Sequence, residues 1–295
     1  MREDTHVLRS SSLTAIVTSD GAELCSLRND AGTEFIWQAG PAWPRHAPLL
    51  FPIVGRLKND ELRHRGQAYR MTQHGFARDV RFAWLERSAT RCVLVLHDGD
   101  ATRANYPFAF RLAVTYSLDE RGLDVAFEIA NTGEEMLPAS LGGHPAFNWP
   151  LVPDRPKDGY ALTFPQAEAS PVRCLEGGLL RASTESSPID GRVLRLSESL
   201  FAGDAIIFDR IASQSVHYAA AQGPWVEMSW TGFRELGVWS KPTGAPFLCI
   251  EPWRGYASPW TFDGEFCDKP GLMQIAPGTN ERLAYRIAAG TGLPR

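Results

Sequence analysis

Three stretches of this chain carry side chains able to move protons or to hold a polar ligand. The first is "SLGGHPAFNWP", residues 140–150, which offers His144 and Asn148. The second is "HAPLLFPIVGRL" (46–57) together with "QHGFARD" (73–79), which offers Arg56, His74 and Arg78. The third is "APFLCIEPWRGYASP" (245–259), where Glu251 follows the apolar run "FLCI" and precedes Pro252 and Trp253. A carboxyl group at the end of a buried strand is partly desolvated. Desolvation raises its pKa toward neutrality, where it serves as a base. Arg254 is close enough in sequence to make the same glutamate an ion-paired rim residue instead. Imidazole titrates near neutral pH and supplies the matching acid. In "GGHP" two glycines permit close backbone approach or a sharp turn, and the proline fixes φ, so His144 is held in one place. His74 also lies beside a glycine, whereas His6, His46, His64, His97 and His217 lack these settings and read as surface or core residues.

Other chemistries find little support. There is no G-x-S-x-G elbow for a nucleophilic serine, no glycine-rich phosphate loop and no dinucleotide fingerprint. Neither H-x-x-x-H nor H-E-x-x-H occurs, so no metal and no cofactor are expected. A net charge of −4 without a dense lysine or arginine run argues against a nucleic-acid partner. No apolar stretch approaches the roughly 20 residues of a membrane span. The first residues, "MREDTHVLRSSS", have no apolar core of a secretory signal. Five cysteines form no C-x-x-C pair, which suits a reducing cytoplasm.

The elements that must position these residues follow a period of two. In "FRLAVTYSL" (110–118), Phe110, Leu112, Val114, Tyr116 and Leu118 fall on one face, and Arg111, Thr115 and Ser117 on the other. After "DERG", Leu123, Val125, Phe127 and Ile129 repeat the pattern, which predicts an antiparallel hairpin with one buried face. Similar runs recur at 13–18, 22–29, 34–37, 92–97, 205–209, 226–230, 236–240, 247–251 and 283–288, and no amphipathic helix of three turns stands out. Many short strands predict an all-β fold, an antiparallel sandwich or barrel. Residues 150–203 are the least patterned and read as an insertion on one sheet edge. With no sharp change of composition, residues 1–295 read as a single domain.

Taken together, "FPIVGRL", "QHGFARD", "SLGGHPAFN", "DAIIF" and "APFLCIEPWRGYAS" resemble the aldose 1-epimerase (galactose mutarotase-like) family, in its bacterial branch. "GAELCSLRNDAGTEFIW" resembles that family's first hairpin, and the likeness runs from about residue 12 to 288. The resemblance implies a large antiparallel β-sandwich, the supersandwich, with a sugar cleft on one sheet. It also implies a small-molecule sugar as partner, and the chain is expected to be a cytoplasmic monomer or homodimer. Carried over, the catalytic glutamate falls on Glu251 and the two family histidines on His74 and His144. The substrate-binding arginine falls on Arg56, and the sugar-binding aspartate on Asp204, with Asp209 as its rival. The implied activity interconverts the α and β anomers of an aldose. Glu251 would take the proton from the C1 hydroxyl, and His144 would give one to the ring oxygen from the opposite side of the C1–O5 unit, across a gap one pyranose wide. His74, Arg56, Arg78, Asn148 and Trp253 would position the sugar. A sugar phosphate, held by Arg56, Arg78 and Arg254, and a non-catalytic sugar-binding module are the alternatives. A lyase or hydrolase is less well matched, since hydrolysis calls for a further carboxylate in register.

Overall fold

The computed structural model describes residues 4–153, 155–242 and 244–291. Strands dominate it, and they follow the alternating runs closely. Leu13–Thr18 and Phe110–Leu118 match their runs end to end, while Gly122–Asn131, Trp225–Thr231 and Asn280–Gly290 extend theirs by a few residues. The expected hairpin is antiparallel, with Leu118 opposite Leu123. Its inward residues Phe110, Leu112, Val114, Leu123, Val125 and Ile129 are fully buried. Arg111, Thr115 and Ser117 on the other face keep contact with solvent. Among the described residues the α-helix is confined to Asp100–Arg103.

The "EFIW" run departs from expectation and makes only isolated bridges, Arg28 with Glu34 and Ile36 with Phe147. The reason is the Glu34 side chain. Its Oε1 accepts the backbone N–H groups of Leu27 and Ile36, each at 3.0 Å, and so replaces ladder bonds with side-chain bonds.

Two large sheets carry most strands. In the nine-stranded sheet, Gly122–Asn131 lies between Phe110–Leu118 and Asn280–Gly290. The eight-stranded sheet runs Leu179–Glu185, Val172–Glu176, Ile206–Phe208, Glu235–Trp239, Phe247–Arg254, Leu141–Gly143, Leu49–Leu50, and Ala146–Asn148 also pairs with Phe247–Arg254. Neighbouring strands in both are antiparallel. Leu236, Val238, Leu248 and Ile250 of one sheet join the same buried cluster as Val125, Ile129, Met228 and Ile287 of the other. This shared core makes the pair a sandwich, and each such side chain contributes about 1.5–3 kcal/mol on burial.

Residues 150–203 serve two sheet edges rather than the one expected. Tyr160–Thr163 and Val193–Arg195 end the nine-stranded sheet, and Val172–Glu176 and Leu179–Glu185 end the eight-stranded one. Tyr160–Thr163 alternates for only four residues, Val193–Arg195 is three residues long and Leu179–Glu185 is mostly exposed, so any alternation is too brief to mark these strands.

Candidate active site

Alternation along Phe247–Arg254 sorts its side chains. Leu248 and Ile250 enter the sandwich core, while Cys249 and Trp253 belong to separate clusters on the opposite face. Glu251, lying between those two in the same alternation, shares their face. The neighbouring strand Leu141–Gly143 ends at His144, with Gly142 opposite Trp253. Neither glycine of the "GGHP" run adopts a left-handed conformation. Both are there for space. A methyl group on Gly142 would lie 2.6 Å from Trp253 Cδ1, and one on Gly143 would lie 2.5 Å from Tyr285 Cε1 on the other sheet. Gly143 lets the two sheets close, and Gly142 makes room for the indole. His144, next in the alternation, then faces the same side as Gly142.

That side holds a cavity of about 200 Å³. Of the residues singled out in the sequence, His74, Arg78, His144, Asp204, Glu251 and Trp253 line it. His144 Nε2 stands 3.2 Å from Glu251 Oε2, so the two groups touch and the expected sugar-wide gap between them is absent. The register of adjacent strands brings them together, a relation that no local motif encodes. For anomer chemistry the correction is modest. The hydroxyl oxygen and the ring oxygen are both bonded to C1, so neighbouring groups can reach both.

Electrostatics at this pair is governed by burial. Glu251 is 1% exposed, and its Oε2 makes no hydrogen bond among the described residues. Burial holds its carboxyl well above the usual range. The nearby Trp253 indole opposes this, and Asp204 reinforces it. Burial, aided by Arg78 and Arg45, pushes the His144 imidazole down to about 3. Burial thus disfavours charge on either group and favours the neutral pair, a protonated carboxyl beside a neutral imidazole. Trp43 stacks on the His144 ring at 5.1 Å, and Trp239 meets its edge at 5.9 Å.

His74 is fixed by a reciprocal contact. Its N–H donates to the Gly55 carbonyl at 2.7 Å, and the Gly55 N–H donates to its Nδ1 at 3.1 Å. An accepting Nδ1 places the proton of the neutral ring on Nε2. Burial and the neighbouring His144 keep the ring neutral, well below the usual histidine range. His74 and Asp204 both have positive φ, 68° and 86°. Such backbone strain persists only where its surroundings fix it, and it concentrates at working sites.

Other candidates lie elsewhere. Arg56 is outside the cavity lining, bound through Nε and Nη2 to Asp60 at 2.6 and 2.8 Å. Asn148 is also outside, and its Nδ2 donates to the Glu34 carbonyl at 2.8 Å. Asp209 pairs with Arg173 at 3.3 Å, which leaves Asp204 as the aspartate at the cavity. Arg254 does not line it either, so of the three arginines considered for an anion only Arg78 is present, its buried Nε making no hydrogen bond among the described residues and standing 3.7 Å from Asp79 Oδ2. Trp43, Gln73 and Trp239 line the cavity and were not singled out in the sequence. Trp239 sits in an expected strand, but period alone does not separate a cavity-facing tryptophan from a packed one. Trp43 lies in a loop with no pattern around it.

A family model for aldose 1-epimerase matches residues 4–270. This chain belongs to the aldose 1-epimerase family. Protein LacX of Lactococcus lactis subsp. lactis, in its plasmid form, is 31% identical over 291 residues, covering 95% of this chain and 97% of LacX. A galactose mutarotase related enzyme from Lactobacillus acidophilus has a TM-score of 0.93 at 31% identity, with 98% of each chain covered. A galactose mutarotase-like protein from Lactobacillus casei has a TM-score of 0.89 at 31% identity, covering 97% of this chain and 100% of its own. The fold of this family member is therefore the galactose mutarotase-like sandwich, and its cavity lies on the face of the eight-stranded sheet turned away from the core. Chemically, the cavity of this aldose 1-epimerase family member offers a linked acid–base pair, another histidine of fixed tautomer, and aromatic walls.

Proposed function

We propose that this protein is a mutarotase for a free hexose. The observation that carries the reading is the contact of His144 Nε2 with Glu251 Oε2, 3.2 Å apart in the wall of a cavity. Ring opening moves one proton off the C1 hydroxyl and one onto the ring oxygen. A pair that holds a single mobile proton is matched to that demand. When the C1 hydroxyl donates to the unpartnered Glu251 Oε2, it favours the carboxylate. The carboxylate in turn favours the imidazolium beside it. Glu251 then takes the hydroxyl proton while His144 protonates the ring oxygen and the C1–O5 bond opens. C1 rotates, the ring closes on its other face, and both protons return. His74 Nε2–H and Arg78 orient the sugar, Asp204 accepts from its hydroxyls, and Trp43, Trp239 and Trp253 supply faces for its C–H surface. With Arg56 and Arg254 outside the cavity, a free sugar is favoured over its phosphate. Polarimetry on freshly dissolved α-anomers of a panel of aldoses and aldose 6-phosphates tests the reading. Faster equilibration of at least one free hexose is the expected result; catalysis of none, or of phosphates alone, overturns it.

A further inference from the structure

We propose that His144, Cys249 and Glu251 bind a thiophilic divalent cation, Zn²⁺ foremost, and that the bound ion halts turnover. The binding half stands on its own geometry, and the inhibition half rests on the mutarotase reading above. One donor atom of each residue lies within 4.8 Å of the other two, and all three residues are buried. Cys249 and Glu251 occupy alternate positions of one strand, and His144 comes from the segment that pairs beside it. A zinc ion takes sulfur at about 2.3 Å and nitrogen or oxygen at about 2.0–2.2 Å, so its donors stand roughly 3–4 Å apart. The His144–Glu251 edge is already at that spacing, 3.2 Å. Glu251 Oε2 is buried and makes no hydrogen bond among the described residues, which leaves it an acceptor free for a cation. Thiolate and carboxylate together balance a dication, which offsets the cost of charge in a dry site. Three protein donors leave the fourth position to the cavity, where water or a sugar hydroxyl fits. The nitrogen and sulfur donors select against Mg²⁺ and Ca²⁺, which prefer oxygen. Once bound, the ion holds the imidazole lone pair and the carboxylate oxygen that the proton transfers require.

Another trio, Glu23, Cys25 and His46, is equally close but only partly buried. Its Glu23 Oε1 already accepts the N–H groups of His46 and Ala47, each at 2.9 Å. It serves as the internal control.

The test is a Co²⁺ titration of chelator-treated full-length protein, read by thiolate-to-cobalt charge-transfer absorption. The band is expected to saturate at one ion per chain, to vanish in both Cys249→Ala and Cys249→Ser, and to persist in Cys25→Ser. In parallel, Zn²⁺ should abolish anomer exchange and chelator should restore it. Cys249→Ala should keep the wild-type rate without metal and need at least about tenfold more Zn²⁺ for inhibition. No band in the wild type, a band that survives loss of Cys249, or one lost with Cys25 overturns the site. Inhibition by Mg²⁺ at the same concentration overturns its selectivity. The cobalt spectrum needs no turnover, so polarimetry in chelator judges the mutarotase reading separately.

Discussion

Replacing Glu251 by glutamine should remove catalysis and leave the fold at least as stable. The two side chains have nearly the same shape, and among the described residues Glu251 Oε2 makes no hydrogen bond, its contact being His144 Nε2 at 3.2 Å. Glutamine neither takes nor gives a proton. One positioned acid or base contributes roughly 10²–10⁴-fold, equivalent to about 3–5 kcal/mol in the barrier at about 1.4 kcal/mol per tenfold. Stability should move the other way. Burial raises the Glu251 pKa in the folded state above its ordinary value near 4.5, so the folded protein holds this proton more tightly than the unfolded chain. What the protonated group contributes is present below that ordinary value and is lost as pH rises through the raised one. A neutral glutamine escapes this loss. Polarimetry gives the rate, and urea unfolding at pH 5 and pH 8 gives the stability. The variant should lose at least about 100-fold in rate, match wild type in stability at pH 5 and equal or exceed it at pH 8. A variant that equilibrates α-glucose and α-galactose like the wild type, or that is weakened at pH 8 by more than about 1 kcal/mol, would refute the reasoning.

Further outcomes follow from the same geometry. Burial pushes His144 down to about 3 and Glu251 up, so neither group titrates near the ordinary histidine value. The kcat–pH profile should therefore be flat around pH 6–7, and a limb near the ordinary histidine value of about 6.5 would contradict it. Gly143→Ala drives a methyl group into Tyr285, and calorimetry should show a loss of about 1–3 kcal/mol; an unchanged Tm would mean the sheets are not in contact there. Asn148→Ala deletes the bond to the Glu34 carbonyl outside the cavity, so KM and kcat should hold while stability falls by about 1 kcal/mol. A raised KM would return Asn148 to the site. Lys269 is buried, with its ammonium donating to the Tyr256 and Pro270 carbonyls at 2.6 and 3.1 Å, and burial lowers its pKa from 10.5 to about 7. The unfolded chain binds the extra proton between those values, so stability should rise with pH across that window. Lys269→Met should flatten this rise, and an identical slope in urea unfolding from pH 7 to 10 would count against it.

Much of the fold was legible because half-buried antiparallel strands write their period into the sequence. The hairpin at 110–131 is the clearest case, and Glu251 was legible for the same reason, as a charge closing an apolar run. What local pattern could not carry was register. Gly142 pairs with Trp253 across some 110 positions of sequence, and that pairing brings His144 into contact with Glu251. Arg56 lies outside the cavity lining, and Asp60, only four residues on, takes its guanidinium with both oxygens, a local pairing that the motif around Arg56 does not announce. Trp43 and Cys249 went unread for different reasons. Trp43 is a loop residue without a period, and Cys249 is indistinguishable in the sequence from the other apolar members of "FLCI".

The most direct test is magnetisation-transfer NMR on the anomeric protons of a free hexose at equilibrium, with and without protein. Wild type should transfer magnetisation between the α and β signals far faster than buffer, while Glu251→Gln and His144→Ala, folded by circular dichroism, should not. If wild type leaves the exchange of every hexose at the buffer rate, or either variant exchanges like wild type, the contact at residues 144 and 251 is not a catalytic pair.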